Sequence, residues 1–342
     1  MIIRARAPLR IGLAGGGTDV SPYCNQFGGL VLNATIARYA YATIEVRSDQ
    51  KIHFFSGDKN FRDAFGISDE ITLEGPSLLL RATYLHMIKH YNGGRRIAVE
   101  LTTFCDSPPG SGLGTSSTLV VAMVKAFSGY LELDLDNYTI AEVAYKIERI
   151  ECQLMGGRQD QYSAAFGGFN FIEFAASNQV TVNNLSVSLK AIQELEASFI
   201  LFFTGVSRDS DRIILDQSNN VKNKHKVAME AMHLIKKEAQ IMKSKLLDED
   251  FQGIVESMIN GWENKKKSAD VISNPLIEEI YDCAVNSGAL AGKVSGAGGG
   301  GFMIFFVPIE KRKSLIDSLS KFNGEISNVH FTNVGAQFWK TK

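Results

Sequence analysis

The chain has 342 residues, of which 45% are apolar and 21% charged, and its formal net charge is -1. That balance suits a soluble protein with enough apolar content for two ordinary domains, and it excludes the basic excess of a nucleic-acid binder. Four scattered cysteines (Cys24, Cys105, Cys152 and Cys283) include no C-x-x-C pair, which argues for a reducing compartment and against a disulfide framework or a zinc site.

The first residues, MIIRARAPLR, lack the apolar core of a signal peptide, and no segment nears the roughly 18 apolar residues of a membrane span. A cytoplasmic protein with neither membrane nor nucleic-acid partners is expected. Residues 2–14 read as an apolar strand that runs into Gly15-Gly16-Gly17-Thr18-Asp19. Residues 30–47 are rich in β-branched and aromatic side chains and predict one long strand or a bent pair. Residues 51–75 are polar and predict loops with a short strand. A helix is expected over 77–91, a strand over 97–104, and an apolar helix of small residues over 117–131.

A second helix is expected over 139–155, with Thr139 as N-cap and Glu142 completing a capping box. A polar turn at 156–161 and a strand at 168–174 follow. The weakly patterned stretch 175–196 contains the expected domain junction, dividing the chain into 1–185 and 186–342. Beyond it come a strand (198–204), a helical block (211–247), helices near 249–260 and 275–287, a strand–glycine–strand unit (290–307), a helix near 309–321 and a last strand. The triplet Lys265–Lys267 reads as a solvated helix face. Alternating strands and helices of this kind give an α+β or α/β protein of two lobes.

Three glycine segments carry the chemistry. Pro108-Pro109-Gly110-Ser111-Gly112-Leu113-Gly114-Thr115-Ser116-Ser117 lies between a strand and a helix. Glycines let backbone N–H groups turn toward a ligand, the helix start adds its positive dipole end, and three hydroxyl residues add donors and a ligand for Mg²⁺. Together these features suit a triphosphate. The chain has no GxxxxGK[ST], so this is not a Walker-type loop. Lys293-Val294-Ser295-Gly296-Ala297-Gly298-Gly299-Gly300-Gly301-Phe302 formally matches a dinucleotide fingerprint, but the β-rich run 302–307 follows it where a helix should stand. A turn packed against another loop or against phosphates fits better. Ala7–Asp19 ends a strand in three glycines and a carboxylate, an arrangement open to a polyhydroxylated ligand.

In order and spacing these segments resemble the three signature motifs of the GHMP kinase superfamily (galactokinase, homoserine kinase, mevalonate kinase and phosphomevalonate kinase). APLRIGLAGGGTDVSPY, Leu32–Ile36 and Gln159–Gly168 look most like the bacterial D-glycero-D-manno-heptose 7-phosphate kinases, with fucokinase kinase domains the nearest alternative. The resemblance implies an N-terminal lobe like ribosomal protein S5 domain 2, a ferredoxin-like C-terminal lobe, and an active site in the cleft between them. It also implies ATP and Mg²⁺ as cofactors, with a small-molecule sugar phosphate, phosphorylated at C1, as partner. A homodimer is compatible with it.

Residue by residue, the resemblance places ATP on Pro109, Gly110, Ser111, Gly112, Leu113, Gly114, Thr115, Ser116 and Ser117. Ser116 then holds the metal together with a glutamate before the catalytic Asp. Glu148 and Glu151 are the two candidates, and Glu151 fits better if the turn before Asp160 is short. Asp160 maps to the base and Arg10 to the cation beside it. Gly16, Gly17, Thr18 and Asp19 map to the sugar side, as do Gly298 and Gly299 of the third segment. The Glu-His that precedes this Asp in galactokinases is here Gly16-Gly17. Arg158 and Arg208 are the candidate seats for the substrate's own phosphate, because guanidinium forks suit phosphate oxygens.

Overall fold

The computed structural model describes residues 2–206 and 210–341. Two sheets organise it. The larger has eight strands: β1 (Ile2–Ala14), β2 (Gly29–Val46), β3 (Lys51–Ser56), β4 (Phe61–Gly66), β5 (Val99–Cys105), β6 (Phe169–Phe174), β7 (Val180–Leu185) and β12 (Gln337–Thr341). Its spine is β2, which stays continuous because it changes partners along one edge. Residues 29–34 pair with β6 and residues 40–46 with β5, while β1 runs along the other edge. The β1–β2 register shifts between Pro8 and Arg10, where the ring nitrogen of proline cannot donate to the ladder.

The four-stranded sheet contains β8 (Phe199–Phe203), β9 (Ala291–Val294), β10 (Phe302–Phe306) and β11 (Glu325–Asn328) in the order β11-β8-β10-β9, all antiparallel. Its sequence of strand, helices, strand, strand, helix, strand is the ferredoxin-like pattern. The expected two-lobed α+β architecture is therefore present. The last strand, β12, returns to pair with β1, so the chain ends in the first lobe's sheet.

Helices α2 (Leu78–Tyr91), α3 (Thr115–Tyr130), α4 (Asn137–Tyr145), α5 (Gln159–Phe166), α8 (Lys226–Leu247) and α9 (Phe251–Ser268) bury apolar stripes against the larger sheet in one core. A second core, under α10 (Pro275–Asn286) and α11 (Arg312–Leu319), is centred on Trp262, Phe202 and Phe305. The remaining helices are α1 (Tyr23–Phe27), α6 (Leu189–Ser198) and α7 (Ser210–Lys222). Among the described residues, no helix is long and apolar enough to cross a membrane.

Several elements differ from the sequence reading, each for a local reason. The polar stretch after residue 50 forms the hairpin β3–β4, because Phe54 and Phe65 pack together beneath it. The helix expected over 139–155 starts earlier: Asp136, not Thr139, is the cap, accepting from the Thr139 amide at 2.7 Å. That helix ends at Tyr145 and continues as a π-helical turn, Lys146–Glu151. The turn expected at 156–161 becomes the start of α5, and the block 211–247 divides at residues 223–225, where Lys224 has φ 53°.

Candidate active site

The phosphate-loop segment joins β5 to α3 and forms one wall of a cleft of about 310 Å³ between the lobes. Gly110, Gly112 and Gly114 all have positive φ. A Cβ on Gly114 would also lie 3.1 Å from the Asp160 carboxyl carbon, close enough to push that side chain aside. Thr115, Ser116 and Ser117 open α3 and line the cleft, whereas Ser111 and Leu113 are buried beneath the loop and Pro109 is exposed. The N-terminus of a 16-residue helix thus faces the cavity, where it favours anions.

The third glycine segment packs onto this loop. Ser295 Oγ donates to the Gly112 carbonyl at 2.9 Å, and the Phe302 amide donates to the Ser111 carbonyl at 2.8 Å. A Cβ on Gly112 would lie 2.4 Å from the Ser295 carbonyl oxygen. Gly296 and Ala297 reach the cleft. Gly298 and Gly299, expected on the substrate side, instead pack on the 3₁₀ turn Asp270–Ile272. The Gly299 amide donates to the Ile272 carbonyl, and a Cβ on Gly298 would crowd Ile272. The reason is steric: the turn needs backbone contact on that side, which only glycine permits.

Asp160 stands in the first turn of α5 and meets Arg10 of β1. Arg10 donates from Nε (2.7 Å) and Nη2 (2.6 Å) to the same oxygen, Oδ1, and from Nη1 to the Gly112 carbonyl at 2.6 Å. One guanidinium therefore fixes both the carboxylate and the phosphate loop. Lys293 lies close by, donating to the Leu13 carbonyl at 2.8 Å. Burial, with a smaller contribution from Arg10, holds its pKa down at about 8.

Asp19 lies at the start of α5. Its Oδ2 accepts from the Arg158 amide (3.0 Å) and the Gln159 amide (3.1 Å), and its Oδ1 from Gln159 Nε2 (3.0 Å) and the Gly17 amide (3.3 Å). Burial raises its pKa, outweighing the lowering by these N–H groups, and the nearby Asp160 adds to the rise. A Cβ on Gly157 would sit 1.9 Å from Asp19 Oδ2, so that glycine is obligatory. Asp19 and Gly17 line the cleft. Thr18 does not; its hydroxyl, fully buried, donates to the Gly15 and Leu30 carbonyls and closes the loop from behind.

The two glutamates lie apart, and Glu148 rather than Glu151 stands beside Ser116. Ser116 Oγ donates to Glu148 Oε1 at 2.6 Å, and Gln161 Nε2 donates to Glu148 Oε2 at 2.7 Å. Glu148 is fully buried and lines the cleft. Glu151 turns away and pairs with His86 Nδ1 at 2.6 Å. In an ordinary α-helix residues 148 and 151 would share a face; the π-helical turn changes the angular step and separates them. Arg149, on the same turn, also lines the cleft, contacting Glu148 Oε1 at 3.4 Å and donating to the Met155 carbonyl and Ser117 Oγ.

Arg158 is also removed from the expected site. Its guanidinium donates to the Asn178 carbonyl and to Asn178 Oδ1, both at 3.0 Å, and stacks over Tyr145, so only its backbone amide serves the site. Its cation is held at the β6–β7 hairpin. Arg208 lies outside the described residues. In their place the cleft offers Lys265, a member of the triplet expected to be solvated. Lys265 is 7% exposed and donates to the Gly296 carbonyl. Its signal in the sequence was its place on the buried stripe of α9 with Trp262 and Ser268, three residues to either side.

A glycine loop at a helix N-terminus, a carboxylate clamped beside it, and a hydroxyl–carboxylate pair facing the same cleft define a phosphoryl-transfer enzyme of two lobes. Comparison with known proteins agrees. The family model of the GHMP kinases N terminal domain matches residues 78–168, and that of the GHMP kinases C terminal domain matches residues 242–324. A D-glycero-alpha-D-manno-heptose 7-phosphate kinase of Campylobacter jejuni subsp. jejuni is 41% identical over 338 residues, covering 99% of each chain. A crystal structure of a D-glycero-D-manno-heptose 1-phosphate kinase from Bacteroides thetaiotaomicron superposes with a TM-score of 0.85 at 39% identity, covering 99% of each chain. A mevalonate kinase structure shares the fold, with a TM-score of 0.77 at 20% identity over 98% of this chain and 100% of that one. The chain belongs to the GHMP kinases. It is an ATP-dependent phosphotransferase acting on an alcohol group.

Proposed function

We propose that this enzyme transfers the γ-phosphoryl group of ATP to the anomeric C1 hydroxyl of D-glycero-D-manno-heptose 7-phosphate, giving the 1,7-bisphosphate. The observation that carries the chemistry is the Asp160 carboxylate, held by Arg10 against Gly114 of the phosphate loop. The choice of substrate rests on the 41% identity with a heptose 7-phosphate kinase over the whole chain.

In this reading the loop amides from Gly110 to Ser117 and the start of α3 receive the nucleotide phosphates. Ser116 and Glu148 offer hard oxygen donors at the loop, a set that fits Mg²⁺, and these two residues would hold it. The ion supplies charge neutralisation on the phosphate oxygens. Arg10 occupies Oδ1 of Asp160, leaving Oδ2 to orient the acceptor hydroxyl and take its proton as the sugar oxygen bonds to phosphorus and ADP leaves. Gly17 and Asp19 shape the sugar side, with Asp19 holding the turn that presents Asp160. Lys265, a buried cation on the α9 wall of the cleft, is the seat we assign to the sugar's own phosphate.

The test is a phosphorylation screen with heptose 7-phosphate, free heptose, fucose, galactose and mannose, with the product position assigned by NMR. The expected result is C1 phosphorylation of the heptose 7-phosphate at a kcat/KM orders of magnitude above that of any free sugar. Equal turnover of free and phosphorylated sugars would overturn the substrate assignment and favour a fucokinase-like enzyme.

A further inference from the structure

The displaced Glu151 belongs to a second constellation that the kinase chemistry does not use. His86 and His90 are four residues apart on α2, so both project from the same face, one turn apart. Their rings lie 4.5 Å apart between centroids. Glu151, at the end of the π-helical turn, brings its carboxylate to 2.6 Å from His86 Nδ1. One ligand atom from each of the three side chains lies within 4.8 Å of the other two. His86 is 7% exposed, Glu151 is half-buried, and His90 is exposed at the mouth.

We propose that His86, His90 and Glu151 form a binding site for a divalent transition-metal ion of the Zn²⁺ type, separate from the Ser116–Glu148 pair in the cleft. Two imidazoles and one carboxylate select zinc-like ions and disfavour Mg²⁺, which takes oxygen donors and retains its waters. Bonds of about 2.0–2.1 Å place ligand atoms roughly 3.4 Å apart around a tetrahedral ion, so side-chain rotations of about 1 Å from the present arrangement complete the set. Two histidines one helical turn apart are a known means of chelating zinc from one helix face. With three protein ligands and an exposed rim at His90, a fourth position is open to water. On binding, the ion takes the place of the proton between His86 Nδ1 and Glu151, and that proton moves to Nε2 of the neutral imidazole. The ion then joins α2 to the turn that carries Glu148, three residues before Glu151, and so stiffens the support of the catalytic cleft from outside it.

The experiment uses the full-length enzyme, treated with EDTA and returned to excess Mg²⁺, then titrated with Co²⁺ followed by Zn²⁺. The expected result is one equivalent of Co²⁺ bound with visible ligand-field absorption, displaced by Zn²⁺, together with a Zn²⁺-dependent rise in Tm. His90→Ala and Glu151→Gln should each weaken binding at least about tenfold and remove the Tm shift. His90→Ala lies at an exposed position and should keep the Mg-ATP-dependent activity of the parent. Absence of Co²⁺ and Zn²⁺ binding by the parent, or unchanged binding in both variants, would overturn the site. Neither outcome depends on which sugar the enzyme phosphorylates.

Discussion

Arg10 donates to Asp160 and to the phosphate loop at once, so charge, orientation and loop position are set by one side chain. Replacing Asp160 by Asn keeps the shape but removes the proton acceptor. We expect normal folding and Mg-ATP affinity with turnover reduced by about 10²–10⁴-fold, read by nucleotide titration and by kcat. Turnover within a few-fold of the parent would remove Asp160 from the reaction. The proposed metal pair makes a second prediction: Ser116→Ala and Glu148→Gln should both raise the Mg²⁺ concentration needed for half-maximal rate, whereas Glu151→Gln should not. Titrating Mg²⁺ at fixed ATP decides it, and a defect confined to Glu151→Gln would restore the glutamate favoured by the sequence. Asp19 shows how a residue identified by motif can act through others. With both of its oxygens accepting N–H donors, Asp19→Asn misplaces a donor against backbone amides of the turn that presents Asp160. Both kcat and the sugar KM should therefore suffer.

The loops that meet in the cleft depend on positions where a side chain cannot stand. A Cβ on Gly112 meets the Ser295 carbonyl at 2.4 Å, and the backbone there has φ +81°. Gly112→Ala should cost at least about 2 kcal/mol through strain and separation of the two loops, visible as a lower Tm together with lost activity. Gly261 provides the contrast. It lies inside α9 with open space where its Cβ would be, so Gly261→Ala should stabilise by about 0.4–1 kcal/mol without touching the kinetics. A loss of stability at Gly261, or none at Gly112, would contradict this reading of the backbone. The π-helical turn Lys146–Glu151 is the other decisive element, because it sends Glu148 into the cleft and Glu151 to His86.

At the scale of the whole molecule the cleft joins a phosphate loop from one lobe to cations and glycines from both. Lys265 reaches it from α9, and Gly296 and Ala297 from the β9–β10 loop. If Lys265 seats the sugar's phosphate, that contact supplies binding energy for positioning the anomeric hydroxyl. Lys265→Met should then lower kcat/KM for the phosphorylated heptose by about 10²-fold while changing the free heptose little. A two-by-two cycle of parent and mutant enzyme, with and without the sugar phosphate, measures the coupling. Coupling near zero would move the seat elsewhere in the cleft.

The resemblance to the GHMP kinases supplied the α+β class and the kinase chemistry, while the sequence by itself determined the three glycine segments, their order and a chain of two lobes. Each of these is a property of contiguous residues: glycines where backbone must approach a ligand, hydroxyls at a helix start, a carboxylate after a turn. It also located β1, β2 and α3 to within a few residues, because long periodic runs bury one face. Which side chains converge was decided only by the tertiary structure. Glu148 and Glu151 are equivalent on a regular helix, and the π-helical turn that separates them packs against α2 and α3. Arg158 is next to the site in sequence, yet Asn178 and Tyr145 hold its guanidinium elsewhere. Lys265 looked solvated within its triplet until Trp262 and Ser268 fixed the buried face of α9, turning that one lysine into the cleft. Local sequence fixes backbone conformation through short-range sterics and hydrogen bonds, whereas the direction of these charged side chains depends on partners 20 to 65 residues away, on other elements of the fold.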